Sequence, residues 1–205
     1  MSTGKVFLVD DEPELRQALS RLLRAEALEV EDYGSATAFL ARVDEACTGC
    51  LVLDLNMPEF DGLQLQQQLT ARGAHLGIVF LTGHGDIPSS VQAIKAGALD
   101  FLTKPVKRSE LLRAVHAALA HAREQHEAAS AVAGLRSRLA QLTPREREVF
   151  AHVIAGKLNK VIASDLGTTE QTIKVHRARV MEKLAVDSVA DLVRVAQQLG
   201  VQPVQ

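Results

Sequence analysis

CLVLDLNMP, residues 50–58, decides how the first part of this chain folds. The apolar run Leu51-Val52-Leu53 ends in one carboxylate, Asp54, and breaks at a proline four residues later. A short aliphatic run bounded by turn residues reads as a strand buried on both faces of a parallel sheet. The same pattern recurs three times. VFLVDDE sets Asp10 and Asp11 after Val6–Val9, IVFLTG sets Thr82 after Ile78–Leu81, and LDFLTKP sets Lys104 shortly after Phe101-Leu102. In such sheets the residues at the strands' carboxyl ends converge on one crevice. Three carboxylates, a hydroxyl and an ammonium meeting there point to a divalent cation and a phosphorylatable aspartate.

The 205 residues suffice for two small domains, and 47% apolar with 23% charged side chains is ordinary for a globular chain. The formal net charge of -2 is unevenly spread. Residues 1–124 hold 12 Lys and Arg against 17 Asp and Glu, and residues 125–205 hold the remaining 11 against 8. An acidic front suits a metal or phosphoryl donor, and a basic back suits a polyanion. No apolar run approaches the roughly 20 residues needed to cross a bilayer. MSTGK leads straight into a strand with no signal-peptide pattern, so the sequence reads as cytoplasmic with no membrane partner. Cys47 and Cys50 lead into a strand instead of opening a helix, where a thiol pKa would be lowered. No second pair completes a zinc site, so they read as reduced structural cysteines.

From residue 1 to about 122, strands alternate with helices. The strands are expected at Lys5–Val9, Leu28–Tyr33, Gly49–Leu53, Gly77–Leu81 and Ala98–Leu102. Helices follow from Pro13, over Ser35–Val43, Gly62–Ala71 and Pro88–Ala96, and after Ser109. Repeated units of this kind make a parallel sheet covered on both faces, an α/β doubly wound fold. The last of these helices can continue through a helical linker over 123–141, with a soft point at Gly134 costing about 1 kcal/mol relative to Ala. Val132, Leu135, Leu139 and Leu142 form a 3-4-3 seam there, fit either for dimerisation or for capping its own domain.

From 142 to 205 the chain reads as all-α. Thr143-Pro144-Arg145-Glu146 is a capping box with proline at the first helical position. Helices are expected to about Ala155, over Asn159–Leu166, from a cap at Thr168 to about Leu184, and from Ser188 to Leu199. A helix, a turn at Gly167 and a second amphipathic helix make a helix-turn-helix candidate. Ile173, Val180 and Leu184 share one face of the third helix, with Arg177 at its edge, while Lys174, Val175, Ala178 and Arg179 point away. Small and basic residues outward suit a helix entering the major groove.

Asp54 is the expected phosphoacceptor. An anion attacking an anion needs neutralised charge, which Mg²⁺ or Mn²⁺ among carboxylates would supply. Lys104 adds a mobile positive charge and Thr82 a hydroxyl donor. At this point residues 4 to about 122 resemble the receiver domain of two-component response regulators, on Asp10-Asp11, LDLNMPEFDG, LTGHGD and FLTKP. The resemblance implies a flavodoxin-like sheet of order 2-1-3-4-5 and phosphorylation by a sensor histidine kinase. It implies metal held by Asp11, Asp54 and the Asn56 backbone carbonyl, with Asp10 acting mainly through water. It also implies a cis Lys104-Pro105 peptide, a switch in which Thr82 moves and Phe101 fills the space, and a dimer face including Val91, Lys95 and Asp100.

Residues 141 to 199 resemble the LuxR-type helix-turn-helix of NarL/FixJ regulators, and TGHGD leans the whole toward the FixJ branch. Phe150 and Leu158 are mild departures. That resemblance implies base-edge contacts from Lys174, Val175 and Ala178. It makes Lys160, Thr169, His176, Arg177, Arg179 and Lys183 candidates for phosphates. A homodimer on two half-sites about one helical turn apart would bind promoter DNA and engage the transcription machinery. A metal-dependent phosphohydrolase would want an aspartate two past the nucleophile, where Asn56 stands, so the chain is not expected to be an enzyme. His75, His84, His116, His121, His126 and His152 show no metal-ligand spacing and read as surface residues. His84, two past Thr82, lies where it could affect acyl-phosphate hydrolysis.

Overall fold

β3 (Thr48–Asp54) is the middle strand of a parallel sheet of order β2-β1-β3-β4-β5. Its neighbours are β1 (Lys5–Val9), β2 (Glu29–Tyr33), β4 (His75–Thr82) and β5 (Asp100–Thr103). The computed structural model describes residues 4–44, 47–58, 62–83, 91 and 93–204. The strands alternate their side chains between two cores. Val6, Leu8, Cys50, Val52, Val79 and Leu81 pack against α1 (Pro13–Ala25) and the start of α4 (Arg108–Ala140). Phe7, Val9, Leu51, Leu53, Ile78 and Phe80 pack against α2 (Ala36–Leu40) and α3 (Gly62–Ala71). Burial on both faces explains the unbroken apolar runs. A Cβ on Gly77 would lie 2.3 Å from the Ala118 carbonyl oxygen, so glycine lets α4 lie close against β4. Cys47 joins one core and Cys50 the other, and both are free thiols.

Element ends depart from expectation by one to three residues. β4 begins two residues early, at His75, and α2 ends at Leu40, with the chain continuing to Val43 as a turn bonded to the Phe39 carbonyl. Of the helix expected over Pro88–Ala96, residues 88–90 and 92 lie outside the described residues; Val91 and residues 93–95 are helical.

The chain divides into two compact units, Met1–Glu127 and Ala128–Gln205. The second packs α5 (Pro144–Ile154), α6 (Asn159–Asp165), α7 (Glu170–Leu184) and α8 (Val189–Leu199) around Val149, Phe150, Ile162, Ile173, Val180, Leu184 and Leu192. The capping box is complete: Thr143 Oγ1 accepts from the Glu146 N–H, and Glu146 accepts from the Thr143 N–H. The cap of α7 is Thr169 and not Thr168, its hydroxyl accepting from the Thr172 N–H at 3.2 Å. Thr168 instead closes the preceding turn, donating its N–H to the Ala163 carbonyl. α4 runs unbroken through Gly134, and the far end of the apolar seam, Leu139 and Leu142, packs into this second core.

Candidate phosphoacceptor site and nucleic-acid interface

The parallel register brings Asp10, Asp54, Thr82 and Lys104 to one end of the sheet. Val9 pairs with Leu53 and Asp54 with Leu81, while Thr82 pairs with Thr103, directly before Lys104. The Lys104 N–H donates to the Thr82 carbonyl at 2.6 Å, and the Lys104-Pro105 peptide is cis. Asp10, Asp54 and Thr82 are buried, with Asp10 and Thr82 fully so. Lys104 Nζ lies 2.9 Å from Asp10 Oδ2, 2.9 Å from Glu12 Oε1 and 3.3 Å from Asp54 Oδ2. Gly62 backs the acceptor: a Cβ there would sit 2.7 Å from the Asp54 carbonyl oxygen and 2.9 Å from the Phe80 ring. Phe101 is half-buried, its ring 6.2 Å from that of Phe80.

The charges are unbalanced. Burial raises the Asp54 carboxyl above the ordinary carboxylate range; Lys104 pulls against this and Asp10 adds to it. Burial alone would lower the Lys104 ammonium, but the carboxylates of Asp10, Glu12 and Asp54 outweigh it and hold it above its ordinary value. Asp10 Oδ2 is enclosed and faces Lys104 as an ion pair, with no partner at hydrogen-bonding angles. An all-carboxylate set of oxygens served by a single ammonium fits a hard divalent cation.

Among the described residues, the acidic oxygens within 4.8 Å of one another belong to Asp10, Glu12 and Asp54. Asp11, expected to hold metal, lines a cavity of about 330 Å³ with Gly34, Ser35, Thr37, Met57 and Pro58. β1 ends at Val9 and the chain bends at Asp11, where the Glu12 N–H donates to Asp10 Oδ1 at 2.8 Å. The Asn56 N–H approaches Asp54 Oδ1 at 3.4 Å. Val91 and Lys95 are exposed, and Asp100 pairs with Arg113 of α4 at 2.8 Å. His84 lies outside the described residues. His152, read as a surface residue, is buried on α5, with Nδ1 3.6 Å from Asp165 Oδ2.

In the second unit α7 buries Ile173, Val180 and Leu184 and exposes Lys174, Val175, Ala178 and Arg179. Val175 is 42% exposed. Lys160 is also exposed. The remaining phosphate candidates have other engagements. Thr169 caps its own helix, and His176 is half-buried with an enclosed Nδ1. Arg177 donates to Asn159 Oδ1 at 3.1 Å, and Lys183 to Glu146 Oε2 at 2.6 Å.

Residues 6–116 match the family of response regulator receiver domains, and residues 140–196 match the bacterial regulatory proteins of the luxR family. The response regulator protein TmoT of Ectopseudomonas mendocina is 45% identical over 194 residues, covering 95% of this chain and 88% of that protein. FixJ, a transcriptional regulatory protein of Azorhizobium caulinodans, is 41% identical, covering 97% of this chain and 94% of its own length. Among solved structures, the response regulator StyR matches with a TM-score of 0.86 at 43% identity, over 96% of this chain and all of its own. No helix among the described residues is long and apolar enough to cross a membrane. The chain belongs to the two-component response regulators, joining a receiver domain to a luxR-type DNA-binding domain as transcriptional regulators of this family do.

Proposed function

We propose that Asp54 accepts a phosphoryl group from the phosphohistidine of a sensor histidine kinase, and that the phosphorylated chain dimerises on promoter DNA. One observation carries this reading: the Lys104 ammonium stands 3.3 Å from Asp54 Oδ2, at the buried end of a parallel sheet. An Asp54 oxygen bonds to phosphorus as the phosphorus–nitrogen bond to the imidazole breaks, and the imidazole keeps the electron pair. Burial makes the Asp54 carboxylate a more basic, better nucleophile. Lys104 exchanges carboxylate partners for a phosphoryl oxygen, using its three rotatable donors. Bound Mg²⁺ or Mn²⁺, held by Asp54 with Asp10 and the acidic residues beside it, would neutralise the incoming oxygens.

Thr82 then orients its hydroxyl to the phosphoryl group, and Phe101 repacks against Phe80. The face they border carries exposed apolar side chains, Val91, Ile94 and Leu99, that a second copy would cover. Exposed Lys174, Val175 and Ala178 read base edges, with Lys160 and Arg179 on phosphates. The dimer then engages the transcription machinery. The receiver assists its own phosphorylation and dephosphorylation and is not otherwise an enzyme.

The test is acetyl phosphate with Mg²⁺, followed by intact mass and light scattering. One phosphoryl group on the wild type, none on Asp54→Asn, and doubling of mass only for the labelled chain are expected. Labelling that survives Asp54→Asn sinks the assignment.

A further inference from the structure

Lys174 and Arg179 of α7 are exposed, whereas Arg177 and Lys183 are half-buried and turned onto the domain itself. Lys183 Nζ lies 2.6 Å from Glu146 Oε2 and donates to the Gln141 carbonyl at 3.2 Å. Glu146, the third helical residue of α5, is only 2% exposed. The same Oε2 accepts the Thr143 N–H at 2.9 Å. Gln141 follows the last residue of α4. One ammonium–carboxylate pair therefore ties together the end of α4, the start of α5 and the last turn of α7. Six residues earlier, about 9 Å along the axis, Arg177 ties α7 to the first turn of α6.

Ile173, Val180 and Leu184 hold α7 on the core through apolar contact, which has no preferred direction. Charge-assisted hydrogen bonds do have one. We propose that Glu146 and Lys183 form a clamp fixing the rotation of α7 about its axis, so that both are positioning residues for base reading and not phosphate contacts. This rests on α7 being the helix that enters the groove. Base-edge readout depends on that rotation, whereas attraction to the phosphate backbone tolerates small changes in it.

Glu146→Gln separates clamp from charge. It removes a negative charge from the DNA-binding domain, so electrostatics alone would tighten binding to any duplex. The measurement is fluorescence anisotropy of the full chain, treated with acetyl phosphate, over a series of KCl concentrations. Two probes are needed: a duplex selected from random DNA by the wild type, and a random-sequence duplex. For Glu146→Gln, affinity for the selected duplex should fall about tenfold, while affinity for random DNA holds or rises. Lys183→Gln should lose selectivity with an unchanged salt slope, and Lys183→Arg should restore most of it.

A slope lower by about one in Lys183→Gln would mark a phosphate contact and overturn the clamp. Full selectivity in Glu146→Gln would overturn it too. Should Glu146→Gln fail to fold, as judged by circular dichroism, the two Lys183 variants decide between the same outcomes. A wild type that prefers no sequence at all would instead refute α7 as the recognition helix.

Discussion

The two units hold ionic centres built from the same groups in inverse proportion. At the end of the sheet one ammonium, Lys104, serves three carboxylates. At the start of α5 one buried carboxylate, Glu146, receives an ammonium and a backbone N–H. The first centre is short of positive charge, and burial pushes Asp54 up. The second is satisfied, and the hydrogen bond from Lys183, joined by the Thr143 N–H, holds Glu146 below its ordinary range. An undersupplied buried centre has room for further positive charge. A satisfied one is a joint. Sign and stoichiometry separate reactivity from architecture here, where residue types alone would not.

Removing the lone ammonium should produce the largest difference between the centres. Lys104→Met strands buried carboxylates and should destabilise the receiver by about 3 kcal/mol in EDTA, with Mg²⁺ restoring more of the loss than it adds to the wild type. Urea titrations with and without Mg²⁺ measure this, and an unchanged midpoint would show that the centre is not short of charge. Removing one anion should act the other way. Asp54→Asn should stabilise the receiver by about 0.5–2 kcal/mol while abolishing phosphorylation, seen as a raised melting transition in EDTA.

In the satisfied centre there is no such gain to be had. Thr143→Ala removes the hydroxyl that caps α5 and should cost the second unit about 1 kcal/mol, read from its thermal transition.

The smallest effect is a contrast in pH dependence. Asp54 is raised, so its contribution to stability is present below the unfolded carboxylate value near about 4 and fades as pH rises through the folded value. Glu146 is depressed, so its contribution is present above the unfolded value and is lost as pH falls through the folded one. Calorimetry in EDTA should therefore show Asp54→Asn flattening the receiver's profile above about pH 4, and Glu146→Gln flattening the second unit's profile below it. Equal flattening in the same window would erase the distinction between the centres.

Much of this was legible in the chain because strand runs and caps are local signals. CLVLDLNMP and its three counterparts foretold buried strands with chemistry at their ends, and Thr143-Pro144-Arg145-Glu146 foretold the start of α5. What was not legible depends on side-chain reach across elements. Glu12 reads as a helix-entry residue until Lys104, 92 positions away, draws it into the cluster. Lys183 reads as a phosphate candidate by family resemblance, and nothing local in the sequence reveals that Glu146 lies beneath it. His152 sits inside the apolar run VFAHVI, residues 149–154, so its burial is legible from a context that metal-ligand spacing does not weigh. The cap of α7 slipped from Thr168 to Thr169 because two adjacent threonines offer the same chemistry, and only the turn geometry chooses between them.

By itself the sequence determined the succession of elements, the two-part organisation and the residue types gathered at the sheet's end, since these follow from periodicity and from strands that must bury both faces. Only the tertiary structure decided which carboxylates share Lys104 and which cations of α7 remain available to DNA. Those outcomes depend on distances of about 3 Å between residues far apart in the chain. Local propensity carries no information at that range.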